Sequence, residues 1–270
     1  MRRAHILTYA VCLGLVLAGG AKADLMLKWS QAPDLTTNGI DIKAVTPVTL
    51  ADDYLCADPM PITEVHLWGS WLNDLRTDQV RFRLSFWTDI PASAGPYSMP
   101  NLEVWSRVFN PGDYAAILWS TGAEDWYDPV SGTYLNDNHT QTWQYNFLFP
   151  DDPFRQQGTP GAPIVYWLAV EATILDHTGG PYRFGWKTSI QHWNDDAVYW
   201  DPYIDTEGNG WFWKDLVYPP GHPYETGNPY TGTNSMDLAF ALMTPEPATM
   251  ALLIGGVGAI LIGRRYGKGR

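Results

Sequence analysis

The chain has 270 residues, 17 basic against 29 acidic, and a formal net charge of −12. That sign excludes a nucleic-acid or polyanion partner held by bulk charge. With 14 Trp and 15 Tyr it also excludes a disordered chain, because so many large apolar rings demand a core.

The first elements are a leader and an acidic body. Met1-Arg2-Arg3, an apolar stretch over 6–17 and Ala21-Lys22-Ala23 predict a secretory signal peptide over residues 1–23, cut by signal peptidase after Ala23. Gly20 stands where a lipid-accepting cysteine would have to be, so a lipoprotein leader is not expected. Cys12 leaves with the leader, and Cys56 is then alone, without an intrachain disulfide partner and expected to be buried. The leader removes three basic residues, and the segment after 244 removes four basics and Glu246. Residues 24–244 therefore keep 10 basic and 28 acidic residues, a charge of −18. Such acidity favours solubility and loose capture of divalent cations.

Along the body, residues 80–88 give the clearest strand. Val80, Phe82, Leu84 and Phe86 alternate with Arg81, Arg83 and Ser85, the period-two pattern of a half-buried strand. Similar patterns predict strands over 52–56, 62–71, 102–109, 114–120, 141–149, 183–190, 197–200, 210–213 and 235–243. The run 164–174 is apolar on both faces and is expected at the centre of a sheet. Pro- and Gly-rich turns separate these segments, and no dozen residues before the tail carry a 3.6-residue apolar stripe. The expectation is all-β: one antiparallel β-sandwich, jelly-roll-like, over residues 24–244.

Three constellations are candidate sites. Trp193, Asp195, Asp196, Trp200, Trp211 and Trp213 combine rings on which a sugar could stack with carboxylates for its hydroxyls. Against this stands the plain role of tryptophan as core filler. Asp205, Glu207 and Asn209 before Gly210 imitate the start of a calcium loop, although Leu216 stands where a bidentate Glu would close it. Gly208-Asn209-Gly210 is equally a good hairpin turn. Adjacent acids such as Asp52/Asp53 or Asp151/Asp152 cannot serve each other as catalytic partners on a strand, because neighbours point to opposite faces. The sequence has no H-E-x-x-H, zinc spacing, G-x-S-x-G, phosphate loop or dinucleotide fingerprint. No cofactor is expected, calcium excepted. A non-catalytic role is favoured over a carbohydrate-binding module, and that over a carbohydrate-active enzyme.

The last element is the tail, residues 245–270. Pro245-Glu246-Pro247 precedes an uncharged run over 248–263, then Arg264-Arg265 and a basic end. As a helix those 16 residues would span about 24 Å, short of a ~30 Å hydrocarbon core, with the positive flank on the cytoplasmic side. Prolines, acid, short span and arginine pair together resemble the PEP-CTERM sorting signal of Gram-negative bacteria. The resemblance implies transient membrane anchoring through a single hydrophobic helix and recognition by an exosortase-type membrane protease. It further implies delivery to the cell surface or an exopolysaccharide-rich matrix. Ala51-Asp52-Asp53-Tyr54, Val65-His66-Leu67-Trp68-Gly69-Ser70-Trp71 and Ser235-Met236-Asp237-Leu238-Ala239-Phe240 resemble an uncharacterised family of secreted bacterial proteins with this same tail. That family brings no catalytic residue with it.

Overall fold

A computed structural model describes residues 25–200, 213–228 and 232–246. The leader, most of the tail, Trp211, Asp205, Glu207 and Asn209 lie outside the described residues. Leu25–Pro245 forms one compact unit, and no helix among the described residues is long and apolar enough to cross a membrane.

Among the described residues the unit has thirteen strands: β1 Leu25–Gln31, β2 Ile40–Lys43, β3 Thr49–Cys56, β4 Glu64–Trp71, β5 Val80–Ile90, β6 Met99–Phe109, β7 Tyr114–Asp128, β8 Thr133–Leu148, β9 Ile164–Ile174, β10 Phe184–Lys187, β11 Val198–Trp200, β12 Trp213–Asp215 and β13 Phe240–Pro245. One sheet runs β1-β13-β4-β10-β2-β7-β8 and the other β12-β11-β3-β9-β5-β6. The expected all-β body in two sheets is there. β9 lies between β3 and β5, the central place its doubly apolar run requires.

The alternating residues of β5 fill the space between the sheets. Phe82 meets Tyr114, Tyr145, Phe147 and Phe184 at ring-centroid distances of 5.0–5.3 Å. Phe86 stacks on Phe154 at 4.3 Å. Cys56 is buried in this same core, unpaired, as expected.

Among the described strands, one pair departs from a purely antiparallel sandwich. β2 pairs with β7 in parallel, while β10 bridges β2 and β4 and β8 bridges β4 and β7. The circuit β4–β10–β2–β7–β8 therefore closes on itself. Three irregularities along the β7–β8 ladder, between Leu118 and Trp126, bend the hairpin over, the usual effect of bulges. The bent hairpin covers the outer face of β2 and β10. Ile42 and Trp186 point into the main core; Asp41 and Lys187, each one residue away, point the other way and are fully buried beneath the hairpin. Gly185 makes room there: a Cβ on it would lie 2.6 Å from the Trp126 ring.

Candidate functional site

Two polar clusters stand out, one at an end of the sandwich and one beneath the bent hairpin. The first gathers carboxylates from five segments. Asp52 and Asp53 sit on β3, Asp89 on β5, Asp215 on β12, Asp195 and Asp196 on the loop after β10, and Asp237 just before β13. As period two demands, Asp52 and Asp53 part company. Asp52 accepts from Leu238 N at 2.6 Å and Gln31 Nε2 at 3.0 Å. Asp53 accepts from Asn194 Nδ2 on the other face.

Gln31 Nε2 also donates to Asp237 at 3.0 Å, and Asp237 further holds Trp193 N and His192 Nδ1, each at 2.7 Å. This lock ties β1, β3, the 192–196 loop and the approach to β13 together. Asp52 and Asp237 are both almost wholly inaccessible, so they line no groove in which a substrate could lie between them. Ser235 donates to Asp196 Oδ1 and lies 3.1 Å from His192 Nδ1, the nitrogen that Asp237 also holds, and 3.5 Å from His192 Nε2.

The electrostatics of this end follow from burial and like charge. Burial pushes Asp53 up to about 9, against the hydrogen bond from Asn194, with Asp237, Asp89 and Asp195 adding to the rise. Burial likewise raises Asp215 to about 7, with Asp196 and Asp195 adding to it. Asp237 is raised to about 6 by burial, although His192 opposes the rise. Asp52 is raised by burial and by Asp237. One oxygen of Asp53, Oδ1, is buried without a hydrogen-bond partner among the described residues, and so is Oδ1 of Asp215. An unpaired buried carboxylate oxygen is costly unless it is protonated or meets a cation.

Trp193, Trp200 and Trp213, the described tryptophans of that set, do not form an open platform here. Trp193 is half-buried and set edge-on against Trp29 at 5.1 Å. Trp213 is buried in a small second core with Trp167, Ala169 and Met99, and Trp200 packs partly buried against it. Asp195 accepts from Ser98 N at 2.7 Å. A separate open cleft of about 600 Å³, lined by Lys43, Val45, Pro47, His177, Tyr182 and Arg183 among others, is a concavity the sequence did not foreshadow.

The second cluster, also unforeseen, is the quartet beneath the hairpin: Asp41, Glu124, His139 and Lys187, each at most 3 % exposed. Lys187 Nζ lies 2.9 Å from Glu124 Oε2 and 3.4 Å from Asp41 Oδ2. His139 Nε2 lies 2.9 Å from Asp41 Oδ2 and 3.5 Å from Glu124 Oε2. Burial alone would lower the His139 pKa. The charge and hydrogen bond of Asp41, with Glu124 beside it, raise it instead to about 9. Lys187 follows the same balance: Asp41 and Glu124 outweigh burial and raise it.

Asp41, Glu124 and His139 bring three ligand atoms within 4.8 Å of one another, a metal-like spacing. Two cations already face two anions, however, and the Lys187 ammonium contacts both carboxylates. A divalent ion would add surplus charge to a site that is neutral without it. The sequence signal for this quartet was four charged or titratable residues at strand positions, of which Asp41 alone lies between two apolar neighbours. No motif joins them, because they are 15 to 146 residues apart.

The model of a family described as a domain of unknown function (DUF7901) matches residues 27–243. No curated protein and no solved structure matches the chain.

Proposed function

From a chain that belongs to the DUF7901 family, we propose an exported, non-catalytic cell-envelope or matrix domain, delivered by the PEP-CTERM-like tail that begins at Pro245. One observation carries this reading. Leu25 and Pro245 are cross-strand partners on β1 and β13, so the folded unit starts just after the leader's cleavage point and ends at the first proline of Pro-Glu-Pro. Both processing segments then join the body at one point, and removing either cuts no strand. The cleft beside Lys43, Tyr182 and Arg183 offers polar and apolar walls to a matrix glycan in an otherwise acidic chain. Deleting residues 247–270 should move the protein from the envelope fraction of its host to the medium or periplasm. Unchanged partitioning would remove the sorting claim.

A second reading concerns the acidic end, and the orphaned Asp53 Oδ1 favours it. A divalent cation such as calcium, which takes carboxylate oxygens, would pair that oxygen beside Asp195 and Asp89. Calcium should then raise the unfolding temperature of the wild-type protein and do less for Asp53→Asn. Equal shifts in both would refute this site.

A further inference from the structure

We propose that Lys187 and Asp41 condense into an intramolecular amide, an isopeptide bond stapling β10 to β2, with Glu124 as the catalytic residue. The register makes the pair: Lys187 and Asp41 are direct cross-strand partners, and Lys187 Nζ is already 3.4 Å from Asp41 Oδ2. The two side chains are therefore already in contact across the strands, and a pair held in contact reacts without a diffusional encounter. The bent β7–β8 hairpin excludes water from both residues, which are 0 % exposed, so a bond once formed is shielded from hydrolysis.

Each remaining member of the quartet has a task the chemistry requires. An ammonium is not a nucleophile, and Glu124 Oε2, 2.9 Å from Nζ, is placed to take its proton. A carboxylate is a poor electrophile, and His139 Nε2, 2.9 Å from Asp41 Oδ2, is placed to donate to that oxygen and polarise Cγ. The raised His139 pKa keeps this proton in place at neutral pH. Asp41 Oδ1 has no partner among the described residues, which leaves it as the departing oxygen.

The step balances without any added reagent. Nζ gives a proton to Glu124 and its freed lone pair attacks Cγ. The C–N bond forms and the C–Oδ1 bond breaks. Oδ1 leaves as water, carrying the proton returned by Glu124 and a second one from nitrogen. Oδ2 remains as the amide carbonyl under His139, and Glu124 ends ionised, as it began. Two buried charges disappear together, which relieves the desolvation cost of holding them in the interior. The surviving pair, His139 and Glu124 at 3.5 Å, is still neutral.

Intact-mass spectrometry of the purified full chain, denatured and compared with the mass its processed sequence requires, tests the proposal. The expected result is a deficit of one water, about 18 Da, with a branched peptide joining the segments around residues 41 and 187 after proteolysis. Lys187→Met and Glu124→Gln should restore the full mass. Wild-type protein of full mass that gives linear peptides containing Asp41 and Lys187 would overturn the proposal, whether or not the variants fold. So would a deficit that persists in Lys187→Met.

Discussion

Lys187 is the residue on which the interior beneath the hairpin depends. Replaced by Met, it would leave Asp41 and Glu124 facing each other with only His139 for charge. Breaking a buried ion network from one side costs about 3–5 kcal/mol. Lys187→Met removes both the ammonium and the amide proposed with Asp41, so urea unfolding should show a loss of at least that size, and a change near zero would mean that the quartet is solvated and unlinked in solution. Gly185 is tested separately, because its constraint is steric. The Trp126 ring occupies the place of a side chain, so Gly185→Val should destabilise by about 1–3 kcal/mol through overpacking. Trp126→Ala in the same background should recover part of that loss, and strictly additive losses would contradict the contact.

At the scale of elements, the strands with clean alternation were legible and those bent by bulges were not. Val80, Phe82, Leu84 and Phe86 announce β5, and the doubly apolar 164–174 announces a central strand, because one-sided or two-sided burial leaves its mark in the residue pattern. The far half of the β7–β8 hairpin left no such mark. From Thr121 to Thr140 its inward residues include Glu124 and His139, polar side chains doing the work of core residues. The strand was therefore expected to stop near 120, whereas β7 runs to Asp128. The parallel β2–β7 pair was invisible for the same reason, since it exists only once the hairpin has bent over.

At the acidic end the residues were legible and their arrangement was not. His192-Trp193-Asn194-Asp195-Asp196 was identified from sequence, but its partners Gln31, Asp52 and Asp237 come from distant strands. The aromatic platform expected there gives way to a half-buried Trp193 and a buried Trp213.

For the molecule as a whole, the carboxyls of that end set a pH dependence. Asp237, Asp215 and Asp53 have folded-state values near 6, 7 and 9, against an ordinary 3.8. Each folded-state value is raised, so the folded form holds these protons more tightly than the unfolded chain. Their contribution is complete below about pH 4 and is lost as pH rises through those values. His139, raised from 6.5 to about 9, acts with the same sign. The unfolding temperature should fall between about pH 5 and pH 9. Asp53→Asn, which cannot ionise, should flatten the upper part of that fall. A wild-type optimum near pH 8 would contradict the protonated interior.

The architecture pairs the two ends of the domain on β1, an edge strand, and β13 beside it, so removal of the proposed leader and sorting tail would cut no strand. The central claim is that this domain is exported and trimmed at both ends, and terminal mapping of the protein recovered from its host's envelope tests it most directly. The account predicts a chain that begins at Asp24 and lacks the hydrophobic run over 248–263. A full-length chain in the cytosol, with leader and tail both attached, would contradict it.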